Sequence, residues 1–340
     1  MNFRPLSTLP LAFCFSLTAS FIAHAEFAFK DSAAEGQLDV LNDGKVIARY
    51  MYANDLSTKE RTFDTAKTYL HVFDAEGKAP ITKGPGGNFP HHRGIFVGWN
   101  KLTVDGKQDD LWHMPGTRQL HRKFSGEKSG KDSASVTSEV SWVDKAGKPL
   151  IEEKRTMTFL DAPEPAYEMI DVNTTLKAVA GDTLFNGDPE HSGLQFRAAN
   201  EVKAEKTMYL FPKEKADPHK DLDYTWVGES YVLGDKTYSV IYLNHPKNPT
   251  KTRFSAYRDY GRFGGFFTTS LKKDEELNLQ VRFLIIEGEM PSAKWIQEQS
   301  NRFTGESLPT PQTTSRVDKP APPKPAPAPV KDAVPSAGKQ

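Results

Sequence analysis

ASVTSEVSWV, residues 134–143, runs through DKAGK into PLIEEKRTMTF, residues 149–159. In the first segment Val136, Val140 and Trp142 fall on one side, with polar residues between them, the period of a strand with one dry face. DKAGK supplies a short glycine-containing turn, so the two segments read as a hairpin. The same alternation recurs in AYEMIDVNTTL (166–176), which sets Ile170, Val172 and Leu176 against Asp171, Asn173 and Thr175, and in LNLQVRFLII (277–286). Gly and Pro, 24 of each, break these runs at short intervals. One segment has helical spacing: SAKWIQEQSNRF (292–303), with Ser292 as N-cap and Trp295, Ile296, Gln299 and Phe303 along one side. This pattern predicts an all-β chain folded as a single large antiparallel β-sandwich with one C-terminal helix. Two smaller sandwiches meeting near the glycine-rich SGEKSGKDS (125–133) are the alternative.

The two ends read differently from this body. Arg4, the apolar stretch LPLAFCFSLTASFIA (9–23) and the Ala23-His24-Ala25 motif have the form of a cleavable signal peptide over residues 1–25, which predicts a secreted or periplasmic protein. Cys14 raises a lipid anchor as an alternative, but the bulky Phe13 before it argues against one. From Thr304 onward proline, alanine and lysine alternate, so 304–340 is expected to be a disordered tail and 26–303 the folded domain. The only cysteine lies in the leader, so any metal site must use His, Asp and Glu. No later apolar run has membrane-spanning length, and 44 basic residues balance 44 acidic ones, which gives no reason to expect nucleic acid as a partner. Nothing in the composition sets an oligomeric state.

Function must then lie in local clusters. NFPHHRGIFVGWN (88–100) places two histidines and an arginine before an apolar run. As extended chain it would send His91 and Arg93 to one side and His92 to the other. In DPEHSGLQFRAAN (188–200), His191, Gln195 and Arg197 share a face with Gly193, opposite Leu194 and Phe196, and Glu190 stands at the entrance, an arrangement suited to a ligand floor. DDLWHM adds Asp110, Trp112 and His113; NHPKNP presents His245; RDYGRFGGFF offers Arg258, Tyr260 and Arg262. His71, His121 and His219 lie in polar stretches and read as solvated.

Taken in order, FPHHRGIFVGWN, DLWHM, HSGLQFR, NHPKNP and RDYGRFGGFF resemble the PmoA-like family of secreted bacterial proteins, a domain of unknown function labelled methane oxygenase, over roughly residues 40–290. That label describes a membrane protein, and this chain has no spanning run. The resemblance implies a galactose-mutarotase-like supersandwich, similar to aldose epimerases and polysaccharide lyases, and carries over no catalytic assignment; fold alone would not supply one.

Aromatic rings beside His, Arg and carboxylates suit sugars, since rings stack on C–H faces while polar groups bond hydroxyls. The leading expectation is a carbohydrate-active enzyme of hydrolase, lyase or epimerase type, with acid–base groups drawn from His91, His92, His113, Glu190, His191, His245 and Tyr260. Arg93, Trp112, Gln195, Arg197 and Arg258 would bind the carbohydrate or other small polar ligand. Two alternatives stand beside it. One is a non-haem iron or zinc enzyme, its divalent metal held by His91 or His92, His113, His191 or His245, and Glu190. The other is a noncatalytic carbohydrate-binding envelope protein.

Overall fold

The computed structural model describes residues 26–187 and 190–316. The expected signal peptide and most of the expected tail, 317–340, lie outside the described residues. Among the described residues every strand pairing is antiparallel. The hairpin forms as its alternation dictates: Ser133–Val143 pairs with Pro149–Leu160, setting Val136 opposite Met157 and Trp142 opposite Ile151. Its turn is held by Asp144, whose Oδ1 accepts from the amides of Ala146 and Lys148, with Gly147 at φ 83°.

This hairpin sits in a nine-stranded sheet, ordered Thr314–Arg316, Met208–Phe211, Trp226–Leu233, Lys236–Asn244, Glu276–Glu287, Glu168–Ala178, Pro149–Leu160, Ser133–Val143 and Arg118–Ser129. Residues 125–133, the candidate domain boundary, belong to one hairpin inside this sheet. Three four-stranded sheets face it. One is built from Phe27–Ser32, Gln37–Asn42, Lys45–Met51 and Tyr69–Val72, another from Arg253–Phe254, Arg262–Phe266, Ser192–Arg197 and Phe96–Trp99. A single apolar core joins the layers, with Val40 and Tyr50, Trp99 and Phe196 packed toward Val140, Trp142 and Phe283.

An ion pair lies on the dry face. Glu153 and Arg155, both buried, form an ion pair at 2.7 Å. Trp142 Nε1 and Thr174 Oγ1 also donate to the Glu153 carboxylate, while Arg155 reaches Thr68 Oγ1 at 3.1 Å, bridging the layers.

The C-terminal helix, Ala293–Thr304, is capped by Ser292 and covers the outer face of the large sheet with Ile296, against Leu284 and Ile286. A second helix, Lys59–Asp64, was not expected; Thr58 accepts from the Arg61 amide at its start. The expected boundary at 303 also moves outward. Thr314–Arg316 adds an edge strand beside Met208–Phe211, and Asn301 Nδ2 donates to Leu308 O.

A candidate active site of clustered histidines

Residues 88–95 do not continue the strand. Gly86 and Gly87 take φ of 79° and 62°, Phe89 is left-handed at 51°, and the His92 amide closes a turn on Phe89 O. The strand begins only at Phe96. This turn overrides the extended reading: the two imidazoles converge, with ring centres 4.4 Å apart, while Arg93 leaves in another direction. Buried Arg93 donates to Pro90 O, His92 O and Asp64 O, tying the turn to the end of the short helix.

A second loop brings His113 alongside. Asp110 Oδ1 accepts from the amides of Trp112 (2.9 Å) and His113 (2.8 Å), and its Oδ2 meets His113 Nδ1 at 2.8 Å. Burial pushes the Asp110 carboxyl up, but the hydrogen bonds from the His113 ring, the His113 amide and the Trp112 amide outweigh it and hold it below the usual range. It is therefore an acceptor, so whenever the His113 ring carries one proton that proton sits on Nδ1 and the Nε2 lone pair is left for chemistry. The His113 side chain is 36% exposed, and its ring centre lies 4.4 Å from that of His91 and 4.9 Å from that of His191. Met114, the next residue, is left-handed at φ 59°, so strained backbone lies close to both histidine loops.

The third piece carries Glu190 and His191, just ahead of the strand Ser192–Arg197. Two guanidiniums grip Glu190: Arg258 Nε donates at 2.6 Å and Arg262 Nη2 at 2.9 Å. Arg262 is fully buried, lies 5.6 Å over the Trp112 ring, and also donates to Glu190 O. Burial would raise the Glu190 carboxyl, but the hydrogen bond from Arg258 and the charge of Arg262 hold it low and ionised. Tyr260 and Phe89 form a rim, ring centres 4.5 Å apart, with Phe89 43% exposed. Beneath them His92 is buried. Desolvation, then Lys67, pushes His91 down to about 2; desolvation and Arg262 lower His92 as well, so both stay neutral. His91 Nε2, both ring nitrogens of His92 and Trp112 Nε1 are buried with no hydrogen-bond partner among the described residues.

The fold thus assembles His91, His92, Trp112, His113, Glu190, His191, Arg258 and Tyr260. It does not bring in the others. The strand expected to be a ligand floor is buried on both faces: Gln195 donates to Ser192 O and Gly265 O and accepts from Ser255 Oγ, and Arg197 is spent on the carbonyls of Ala198 and Tyr260. Those two residues and Arg93 fasten backbone. His245 packs on Phe303 of the C-terminal helix, away from the cluster. Among the described residues no group of three His, Cys, Asp or Glu side chains is arranged to hold a metal ion, and Glu190 is already committed to two arginines. His71 and His121, expected in solvent, bond Thr82 Oγ1 and Ser138 Oγ instead. Sequence reasoning missed the role of Asp110, although its place three residues before His113 was a usable signal. It also missed Lys67, whose Nζ donates to His91 O (2.9 Å) and Trp112 O (2.5 Å) and holds two of the loops together.

The family model that matches, over residues 37–300, is that of a family of unknown function (DUF6807), which overturns the PmoA-like assignment read from the motifs. No curated protein matches the sequence. Solved structures to which the chain is similar include heparan sulfate lyase HepC from Pedobacter heparinus, at 11% identity and TM-score 0.35, covering 79% of this chain and 36% of that one. A β-arabinopyranosidase matches at 10% identity and TM-score 0.37, over 72% of this chain and 39% of that one. A putative aldose 1-epimerase from Escherichia coli K12 matches at 9% identity and TM-score 0.31, over 78% and 100%. All three are named for sugar chemistry, and the likeness is too slight to carry an argument about this chain.

Proposed function

The chain belongs to the DUF6807 family of unknown function, and from that premise we propose that it is a carbohydrate-active enzyme, exported by its N-terminal 25 residues, in which His113 acts as general base. The observation that carries this reading is the Asp110–His113 contact at 2.8 Å: a carboxylate on Nδ1 fixes the tautomer and steadies the imidazolium that forms when Nε2 takes a proton. His191, whose ring centre is 4.9 Å from that of His113, would return a proton to a leaving or ring oxygen. Glu190 is not an acid in this scheme, because two guanidiniums keep it ionised; it fixes Arg258 and Arg262 instead. Phe89 and Tyr260 offer faces for the C–H side of a sugar ring, and the imidazoles bond its hydroxyls.

Binding to an array of mono- and oligosaccharides, followed by turnover of whatever binds, tests the proposal. His113→Ala is expected to retain sugar binding within a few fold and lose turnover. Absence of binding to any saccharide, or undiminished turnover by His113→Ala, would refute it.

A further inference from the structure

Away from the histidine cluster, the face of Lys45–Met51 and Tyr69–Val72 forms, with the short helix and residues 77–85, a cavity of about 580 Å³, a size that suits a small molecule. The aromatic cluster of Tyr69, Phe96 and Trp112 stands between the two sites. The sequence offers no motif here; strands, helix and loop supply the walls from separate places.

The chemistry of the walls is selective. Arg49, Arg61 and Lys78 line the cavity against two carboxylates, Glu35 and Asp64, while Lys67, whose amine burial pushes well down, is spent on backbone carbonyls. Arg61 is tied to Asp55, and Arg49 to Asp39 through Nε and Nη2, which leaves Arg49 Nη1 without a hydrogen bond among the described residues. Lys78 makes no ion pair within 4 Å among the described residues, although its charge reaches the Glu76 carboxylate. Tyr69 and Phe73 add buried aromatic walls, with Arg93 5.8 Å over the first ring and Arg49 5.3 Å over the second, and Pro80 and Pro85 add exposed apolar surface. His71 is fastened through Nδ1 to Thr82 Oγ1, so its Nε2 is the polar atom left for an occupant, and burial followed by the charges of Arg49 and Arg93 lowers it to about 4 and keeps it neutral. A Cβ on Gly84 would lie 3.5 Å from that Nε2. Gly84 has no left-handed φ that demands glycine, so its missing side chain serves to leave the imidazole uncovered.

We infer that this cavity is a second ligand site, which takes a small ring-bearing carboxylate: the ring lies against Pro80 and Pro85, the carboxylate meets Lys78 and Arg49, and His71 Nε2 bonds a ring substituent. Its occupant would abut Lys67, the residue that joins the His91 and Trp112 loops. The inference stands on this cavity alone and does not depend on sugar turnover at the histidines.

The test is calorimetric titration of the full chain at pH 7 with glucuronate and benzoate, beside their neutral counterparts glucose and benzyl alcohol. At least one acid is expected to saturate, with its neutral counterpart about tenfold weaker or worse; glucuronate alone would identify a sugar acid, benzoate alone an aromatic acid. Gly84→Leu, which covers His71 without contact closer than van der Waals at its Cβ, and Lys78→Ala, which removes one exposed charge, should each weaken binding about tenfold with thermal stability unchanged. Should Gly84→Leu fold poorly, Lys78→Ala carries the test alone. Saturation by neither acid, equal affinity for acid and neutral counterpart, or undiminished affinity in a folded variant overturns the inference.

Discussion

Replacing Asp110 by asparagine keeps the size of the side chain and removes its charge. The carboxylate now accepts three hydrogen bonds, two from main-chain amides at 2.8 and 2.9 Å and one from His113 Nδ1 at 2.8 Å. An asparagine carbonyl keeps the two amides, and its NH₂ then faces the ring, so Nδ1 must become an acceptor and the ring proton moves to Nε2. One half-exposed charge-assisted hydrogen bond, worth about 1.5–3 kcal/mol, gives way to a neutral one worth about 1 kcal/mol. With solvent screening, stability should fall by only about 1 kcal/mol, a melting shift of about 2–4 °C for a domain of this class. Catalysis loses far more, because the base no longer presents a lone pair; a positioned base contributes about 10²–10⁴-fold. Ring nitrogen shifts by NMR read the tautomer with no substrate present, and kcat/KM reads its consequence. An Asp110→Asn protein that keeps the Nδ1–H tautomer, or that turns substrate over at the wild-type rate, refutes the reasoning.

Three further outcomes follow from the same structure. Arg262→Ala strips the buried cation from Glu190 and should destabilise by about 3–5 kcal/mol in urea unfolding; a loss under about 1 kcal/mol would mean Arg258 alone holds the carboxylate. Burial pushes the Glu168 carboxyl up to about 8, so between the ordinary carboxylate range and pH 8 the folded state holds a proton the unfolded chain has lost, and stability falls as pH rises. Glu168→Gln should abolish that slope and be more stable than wild type at pH 8 but not at pH 4; identical urea midpoints at pH 8 would show the carboxyl is solvated. Truncation after Gly305 removes the Thr314–Arg316 strand and should lower the melting temperature by several degrees, whereas truncation after Arg316 should not; equal melting of the two forms would show that this strand contributes nothing.

The architecture was legible because each strand reports its own surroundings. Val136, Val140 and Trp142 alternate with polar neighbours whatever lies opposite, and all three are buried here. The Ser292 cap and the Ile296 stripe are likewise local. The histidine motifs were local too, and the structure gathers His91, His92, His113 and His191 into one cluster. What period two cannot record is which element covers a strand's polar face. Gln195 and Arg197 looked like a floor for ligand, yet their strand lies between Arg262–Phe266 and Phe96–Trp99 and is buried on both faces, so its polar groups serve carbonyls. Arg93 reads as a ligand cation until the helix end at Asp64, 29 positions away, arrives to accept from it. The convergence of His91 with His92 depended on a left-handed Phe89 that no apolar pattern encodes, and the grip on Glu190 on arginines 68 and 72 positions later. Burial and hydrogen-bond satisfaction are decided by contacts distant in sequence, so the alternation in this chain determined the layers, and only the closed sandwich decided which polar side chains fasten it and which remain for chemistry.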